Sequence, residues 1–251
     1  MRIRRIYLPV LALAATAVLV LAGIAMGRAS TSTFTFKTTP STAPKNTYKA
    51  GALFTDLITH YTTPADPVER TQIFLDKNFK VDPTAAGKCA SSQLSSKTMA
   101  QAMAACKNAL VGTGKATAQA SFGTVRACVL LFNGKPQNGN PTLQVFTRAN
   151  AVPNSSISCA NPGSNNQGNA TVLLVGVFKP ASGKYGKVLD VNRITQASPF
   201  PLTVYTTTIK KGNYVSARCN AADKTWHMQI TWTYKSGQKN TIHKTQKCAV
   251  A

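Results

Sequence analysis

Residues 224–234 read Lys-Thr-Trp-His-Met-Gln-Ile-Thr-Trp-Thr-Tyr, a strict alternation of polar and apolar side chains. Trp226, Met228, Ile230, Trp232 and Tyr234 fall on one face; Thr225, His227, Gln229, Thr231 and Thr233 fall on the other. Period-two alternation marks a strand with one face in a core and one toward water. Both tryptophans of the chain stand on the apolar face, so this strand is expected at the centre of the core. Cys219 precedes it, and Ser236-Gly237 turns it into a partner strand, Asn240 to Lys247, closed by Cys248.

Working outward, the same reading gives a series of strands separated by turn residues. Arg70 to Lys77 follows Thr63-Pro64 and Asp66-Pro67, whose prolines hold the preceding residues out of the helical region. Val125 to Phe132 runs into Asn133-Gly134, a dipeptide that favours a tight turn, and Thr142 to Thr147 is the returning strand. Residues 150–169 form a polar loop carrying Cys159. Thr171 to Lys179 is apolar on both faces, as a strand covered on both sides would be. Lys187 to Val191, Leu202 to Ile209 and Tyr214 to Arg218 complete the set. One helix is expected over Ser96 to Ala109, capped by Ser95 or Ser96, with Met99, Met103 and Cys106 at helical spacing. Short strands at close intervals predict a mainly β fold: an antiparallel β-sandwich or a partly open barrel, with one short α-helix near residues 96–109.

The N-terminus bears on the compartment. Arg2, Arg4 and Arg5 precede an apolar run from Ile6 to Met26, and Gly27-Arg28-Ala29 offers small residues for cleavage before Ser30. That is a signal-peptide pattern. The run also approaches the ~20 residues that span a bilayer, so residues 1–29 are read as a signal peptide or a membrane-anchor helix. Basic flanks stay inside, and either reading places the chain from Ser30 onward outside the cytoplasm. Residues 30–47, rich in Ser, Thr, Pro and Lys, read as a tether or a loosely attached first strand, and residues 48–251 as one domain.

The six cysteines are Cys89, Cys106, Cys128, Cys159, Cys219 and Cys248. An even number in an exported chain reads as a disulfide framework. Pairing between sequence neighbours is expected, because Cys89/Cys106 and Cys219/Cys248 each flank one compact unit. None stands in a CxxC pair or near a histidine, which disfavours zinc.

Charge is lopsided: 29 basic residues face 7 acids, for a formal net charge of +22. Residues 1–29 hold four arginines and no acid, so the remainder carries +18, and no acid lies between Asp82 and Asp190. A field of one sign favours anionic partners: wall polymer, a membrane surface or nucleic acid. The cations are spread singly, with Lys210-Lys211 the one adjacent pair after the N-terminal segment, and no element is built for base recognition.

Catalytic constellations are sparse. Gly112-Thr113-Gly114-Lys115 lacks the glycine six positions before the lysine and the hydroxyl after it that a phosphate loop needs; Ala109 and Ala116 stand there. It reads as a turn leading into a strand. His227 and His243 lie on the two arms of the last hairpin with no acid on either arm, so no metal site is expected. Asp56, His60 and Asp66 are the acid–base candidates for an exported hydrolase, with Glu69 nearby. No serine stands in a GxSxG elbow, and oxidised cysteines supply no thiolate. Tyr185, Tyr205, Tyr214 and Tyr234 are candidates for a carbohydrate platform, whereas both tryptophans are assigned to the core.

The order of features is similar to a known pattern: cysteine, short helix, cysteine, Val111-Gly-Thr-Gly-Lys-Ala116, a strand ending Phe132-Asn-Gly-Lys-Pro136, a β-rich middle, the Lys224–Gln238 stretch and a terminal cysteine. Over roughly 48–248 the chain resembles a family of uncharacterised exported proteins of high-GC Gram-positive bacteria. It departs from the pattern at Lys107 and Lys247, where the family often carries proline. The resemblance implies export and a disulfide-bonded β fold, and no activity. The expectation is a non-catalytic envelope protein, without a cofactor, that binds an anionic polymer or surface or docks another envelope protein. The alternative is a hydrolase with its site near Asp56, His60 and Asp66.

Overall fold

A computed structural model of the protein describes residues 31–60, 66–120, 122–149, 158–159, 171–194, 202–211 and 213–251. The expected signal or anchor, 1–29, and most of the 150–169 loop lie outside the described residues. In chain order the elements are β1 (Thr31–Thr39), β2 (Thr42–Ala43), β3 (Lys49–Ala50), β4 (Ala52–His60), β5 (Val68–Asp76) and β6 (Phe79–Val81). Two short helices follow, α1 (Ser91–Leu94) and α2 (Met99–Ala105). Then come β7 (Leu110–Ala120), β8 (Gly123–Gln137), β9 (Asn140–Ala149), β10 (Thr171–Pro180), β11 (Tyr185–Val191) and β12 (Leu202–Ile209). The chain finishes with β13 (Val215–Ala217), β14 (Thr225–Tyr234), β15 (Lys239–Lys247) and β16 (Ala249–Val250).

Eleven strands form one antiparallel sheet in the order β1-β4-β12-β7-β8-β9-β10-β11-β5-β14-β15. Strand twist accumulates across so many strands and curls the sheet, and its two edges meet. The Thr38 amide on β1 donates to Gln246 Oε1 on β15 at 2.7 Å, and Gln246 Nε2 donates back to the Thr38 carbonyl at 3.0 Å. Beyond this point β2 and β16 pair in parallel, Thr42 opposite Ala249. Of the two architectures the alternation allows, the molecule is therefore the partly open barrel. Residues 31–39, in the segment read as a tether or first strand, form the edge strand β1, and Phe34 is fully buried. A second sheet, β3-β13-β6, stands at the end where β5 finishes and β14 begins. There Phe79 packs against Trp226 with ring centroids 5.5 Å apart, and Trp226 Nε1 donates to the Arg218 carbonyl.

β14 lies between β5 and β15, one strand in from the edge. Trp226, Met228, Ile230, Trp232 and Tyr234 are all buried in the main core. The opposite face is less wet than alternation alone suggests. Thr225 and Thr231 are buried there, and the Thr231 and Thr241 hydroxyls meet across the β14–β15 pair at 3.0 Å.

β8 is apolar on both faces because both are covered. Val129 and Leu131 face the barrel core, while Leu130 and Phe132 join Phe146 of β9 beneath Leu94, Met99 and Ala102 of the helices. The helical region is broken where one helix was expected. Ser96 takes a left-handed conformation (φ 57°) between α1 and α2. Thr98, rather than Ser95 or Ser96, caps α2: its hydroxyl accepts from the Gln101 amide while Gln101 Oε1 accepts from the Thr98 amide. The disulfides are Cys89–Cys106, Cys128–Cys159 and Cys219–Cys248.

Two further local expectations are corrected. Asn133-Gly134 is not a turn but part of β8, and the hairpin turns five residues later at Asn138-Gly139, both at positive φ. The Asn133 side chain is fully buried, its Nδ2 donating to the carbonyls of Pro83, Ala86 and Gly87. Gly112 to Lys115 likewise lies within β7 and not in a turn. A Cβ at Gly112 or Gly114 would run into the backbone oxygens of Thr208 and Thr206 on β12, so these glycines permit close strand approach.

Candidate functional site

The curl leaves a cavity of about 110 Å³ inside the barrel, walled by side chains from β5, β9, β10, β11, β12 and β14 among others. Leu75, Leu143, Leu174, Phe178, Leu189 and Trp232 represent its apolar character. The polar residues in its wall are Thr71, Thr203, Thr207 and Tyr205, and no charged residue lines it. Burial pushes the Tyr205 and Tyr214 phenols up from their ordinary value. The Tyr214 hydroxyl is buried with no hydrogen-bond partner among the described residues.

Outside the barrel, most acids are already engaged. Asp190 is held by Arg70, whose Nε and Nη2 donate to its two oxygens at 2.6 and 2.7 Å, and by Lys179 Nζ at 2.6 Å. Burial opposes the Asp190 charge, but the bonds from Arg70 and Lys179 outweigh it and hold the carboxyl below the usual range. Asp76 accepts from the backbone amides of Asn78 and His227. Asp82 accepts from the hydroxyl and amide of Thr84, which lower its pKa with help from Lys80. Asp66 accepts from the amide and hydroxyl of Ser236, in the β14–β15 turn. Asp223 accepts from the Thr225 amide and stands 3.4 Å from His227 Nε2.

Exposed cations stand along the seam, one of them, Lys247, donating from Nζ to the Asp223 carbonyl at 3.3 Å. Lys37 of β1 and Lys239, Lys244 and Lys247 of β15 are exposed. Neither strand carries a carboxylate. Three of these lysines share one strand, and the meeting of the sheet edges adds Lys37 of β1.

The hydrolase candidates do not form a described constellation. Asp56 and His60 lie on β4, Asp56 in register with Thr35 and Thr206 and His60 with Thr31; their side chains are outside the described residues. Asp66 is committed to Ser236. His227 and His243 share the outer face of the last hairpin but are two residues out of register, His227 opposite Thr245 and His243 opposite Gln229. His243 Nδ1 instead lies 3.2 Å from the Tyr185 hydroxyl. Among the described residues no group of three His, Cys, Asp or Glu side chains could hold a metal ion. Of the tyrosines considered for a glycan platform, Tyr205 lines the cavity and Tyr214 and Tyr234 are buried in the core. Tyr185 is half-buried on the outer face and packs on Phe74, 5.6 Å between ring centroids.

No sequence signal joins Arg70, Lys179 and Asp190, which strand order brings together; of the seam lysines three lie on one strand, and only Lys37 is added by the meeting of the edges. Among the described residues no helix is long and apolar enough to cross a membrane. No family model, no curated protein and no solved structure matches the chain.

Proposed function

We propose that the chain is a non-catalytic, exported binding protein of the cell envelope that adheres to anionic wall polymer or anionic membrane surface through its seam. The observation that carries the reading is the set of exposed lysines, Lys37, Lys239, Lys244 and Lys247, on two adjacent strands without a carboxylate. Supporting it, four of the seven acids, Asp66, Asp76, Asp82 and Asp190, are occupied by hydrogen bonds elsewhere, while Asp223 stands beside Lys247. The three disulfides fit an oxidising compartment. Attraction of this kind needs no pocket: it comes from charge and counterion release, and it is insensitive to polymer sequence. Reversing the four seam lysines to Glu should abolish retention on a teichoic-type polyanion. Reversing Lys77, Lys88, Lys107 and Lys135, exposed elsewhere, should weaken it only in part. Equal losses from the two sets would refute a seam-specific surface.

A further inference from the structure

The two edges of the large sheet run in the same direction. Every neighbouring pair from β1 through to β15 is antiparallel, and in a sheet of eleven strands the first and the last are therefore parallel. Their continuations agree, since β2 and β16 pair in parallel. A barrel whose every pair is antiparallel closes only with an even number of strands, because each neighbour must reverse direction. This sheet is one strand short of that condition. Among the described residues no backbone hydrogen bond joins β1 to β15. The Gln246 side chain holds the Thr38 backbone in place of a ladder.

The seam is thus a slot between two strand edges whose amides and carbonyls lack a neighbouring strand. Along β15 the slot is open to solvent. Lys244 stands opposite Met228, whose side chain is fully buried, so it shares the inner face of the sheet. It is nevertheless exposed, as it would not be beneath a paired strand. Phe36 on β1 and Ile242 on β15 pack against the core but are only partly buried. The side chains of Lys37, Lys239 and Lys244 make no hydrogen bond or ion pair among the described residues.

These features define the chemistry of what pairs there. Lysine on an edge strand discourages edge-to-edge association, and a second copy of this chain would bring lysine against lysine. An extended segment in which acids alternate with apolar residues does the reverse. Its backbone pairs with both edges, its apolar side chains cover Phe36 and Ile242, and its carboxylates meet the lysines. We infer that the seam accepts an extended acidic segment of another polypeptide as a twelfth strand, antiparallel to both β1 and β15. This goes beyond adhesion to polymer, because a polyanion needs only the charges whereas a strand needs the backbone edges.

The test uses the protein at about 500 mM salt, where adsorption through exposed charges is suppressed and partly buried pairs are screened less. The probe is a peptide of alternating Val and Glu about eight residues long, enough to run the length of an edge strand. Its controls are the Val and Lys counterpart and the same Val and Glu peptide N-methylated on its backbone amides, which keeps the charge and cannot form a ladder. Calorimetry should show saturable one-site binding of the first peptide and at least about tenfold weaker binding of both controls. Bound peptide should slow amide exchange in β1 and β15 and leave β8 unchanged. Lys244→Glu, at an exposed position, should weaken the Val and Glu peptide about tenfold without moving the unfolding midpoint. Equal binding of the N-methylated peptide would show adsorption by charge alone; it would overturn the strand inference and leave the polymer reading standing. Absence of saturable binding, or protection outside the two edges, would overturn it too. Self-association of the protein that the peptide competes away would identify a second copy as the occupant and likewise refute an acidic partner.

Discussion

The backbone of Thr38 and the side chain of Gln246 exchange two hydrogen bonds, amide to Oε1 at 2.7 Å and Nε2 to carbonyl at 3.0 Å. A side-chain amide here does what a ladder pair does elsewhere: it joins the first and last strands of an eleven-stranded sheet. Gln246→Ala should cost about 1–3 kcal/mol, the penalty for stranding partly buried backbone groups. It should also speed hydrogen exchange in β1 more than in β8. Gln246→Glu keeps the size but loses the donor to the Thr38 carbonyl and should be no less damaging. Uniform exchange across both strands in the variants would show that the seam does not depend on this residue.

The core assignment separates two residues on one strand. Trp232→Ala should cost about 3–5 kcal/mol, the range for removing a large buried aromatic. His227→Ala removes a half-exposed ring paired with exposed Asp223 and should stay within about 0.5 kcal/mol. Chemical denaturation of the two variants, with m-values compared, checks both figures.

Gly112 and Gly114 are constrained by their neighbours and not by turn geometry. A Cβ at either would overlap the Thr208 or Thr206 carbonyl oxygen. Relief requires moving β12 away from β7, so Gly114→Ala should destabilise by several kcal/mol, in the exceptional range for point substitutions. Gly237→Ala, in an open turn at φ 87°, should cost about 1 kcal/mol. Similar midpoints for the two variants would contradict the close approach.

Asp190 should make stability depend on acid pH. Its carboxyl pKa is lowered in the fold from the ~3.9 of an unfolded aspartate. Its contribution is therefore fully present above the unfolded value and is lost as pH falls through the folded one. Asp190→Asn should flatten the decline of stability below about pH 4, and at pH 7 it should cost about 1–2 kcal/mol, since Arg70 and Lys179 are partly exposed. An unchanged acid slope would sink this assignment.

How much of this was legible in the sequence follows from how local each feature is. The alternation at Trp226–Tyr234 names its own buried face, and Leu202–Ile209 reads as a strand from composition alone. The choice between Asn133-Gly134 and Asn138-Gly139 is not local. It turns on Asn133 finding three buried carbonyls from residues 83–87, which spacing cannot reveal. Thr98-x-x-Gln101 was a readable capping signal that outweighed the serines before it. Sandwich and partly open barrel share one alternation, and only the meeting of Thr38 with Gln246, 208 positions apart, separates them. The cavity arises from that closure and leaves no trace in any single stretch, whereas three of the seam lysines stand together in 239–247 and only Lys37 joins them through the fold.

The central claim is that the closed seam presents an adhesive cationic surface. The most direct measurement is the salt dependence of binding to a teichoic-type polyanion between about 50 and 500 mM salt, for the native chain and for the protein with Lys37, Lys239, Lys244 and Lys247 all changed to Glu. Counterion release makes the logarithm of affinity fall linearly with the logarithm of salt, with a slope proportional to the number of contacts. The account predicts a steep slope for the native chain and no measurable binding for the reversed one. A flat native slope, or equal binding by both proteins, would contradict it.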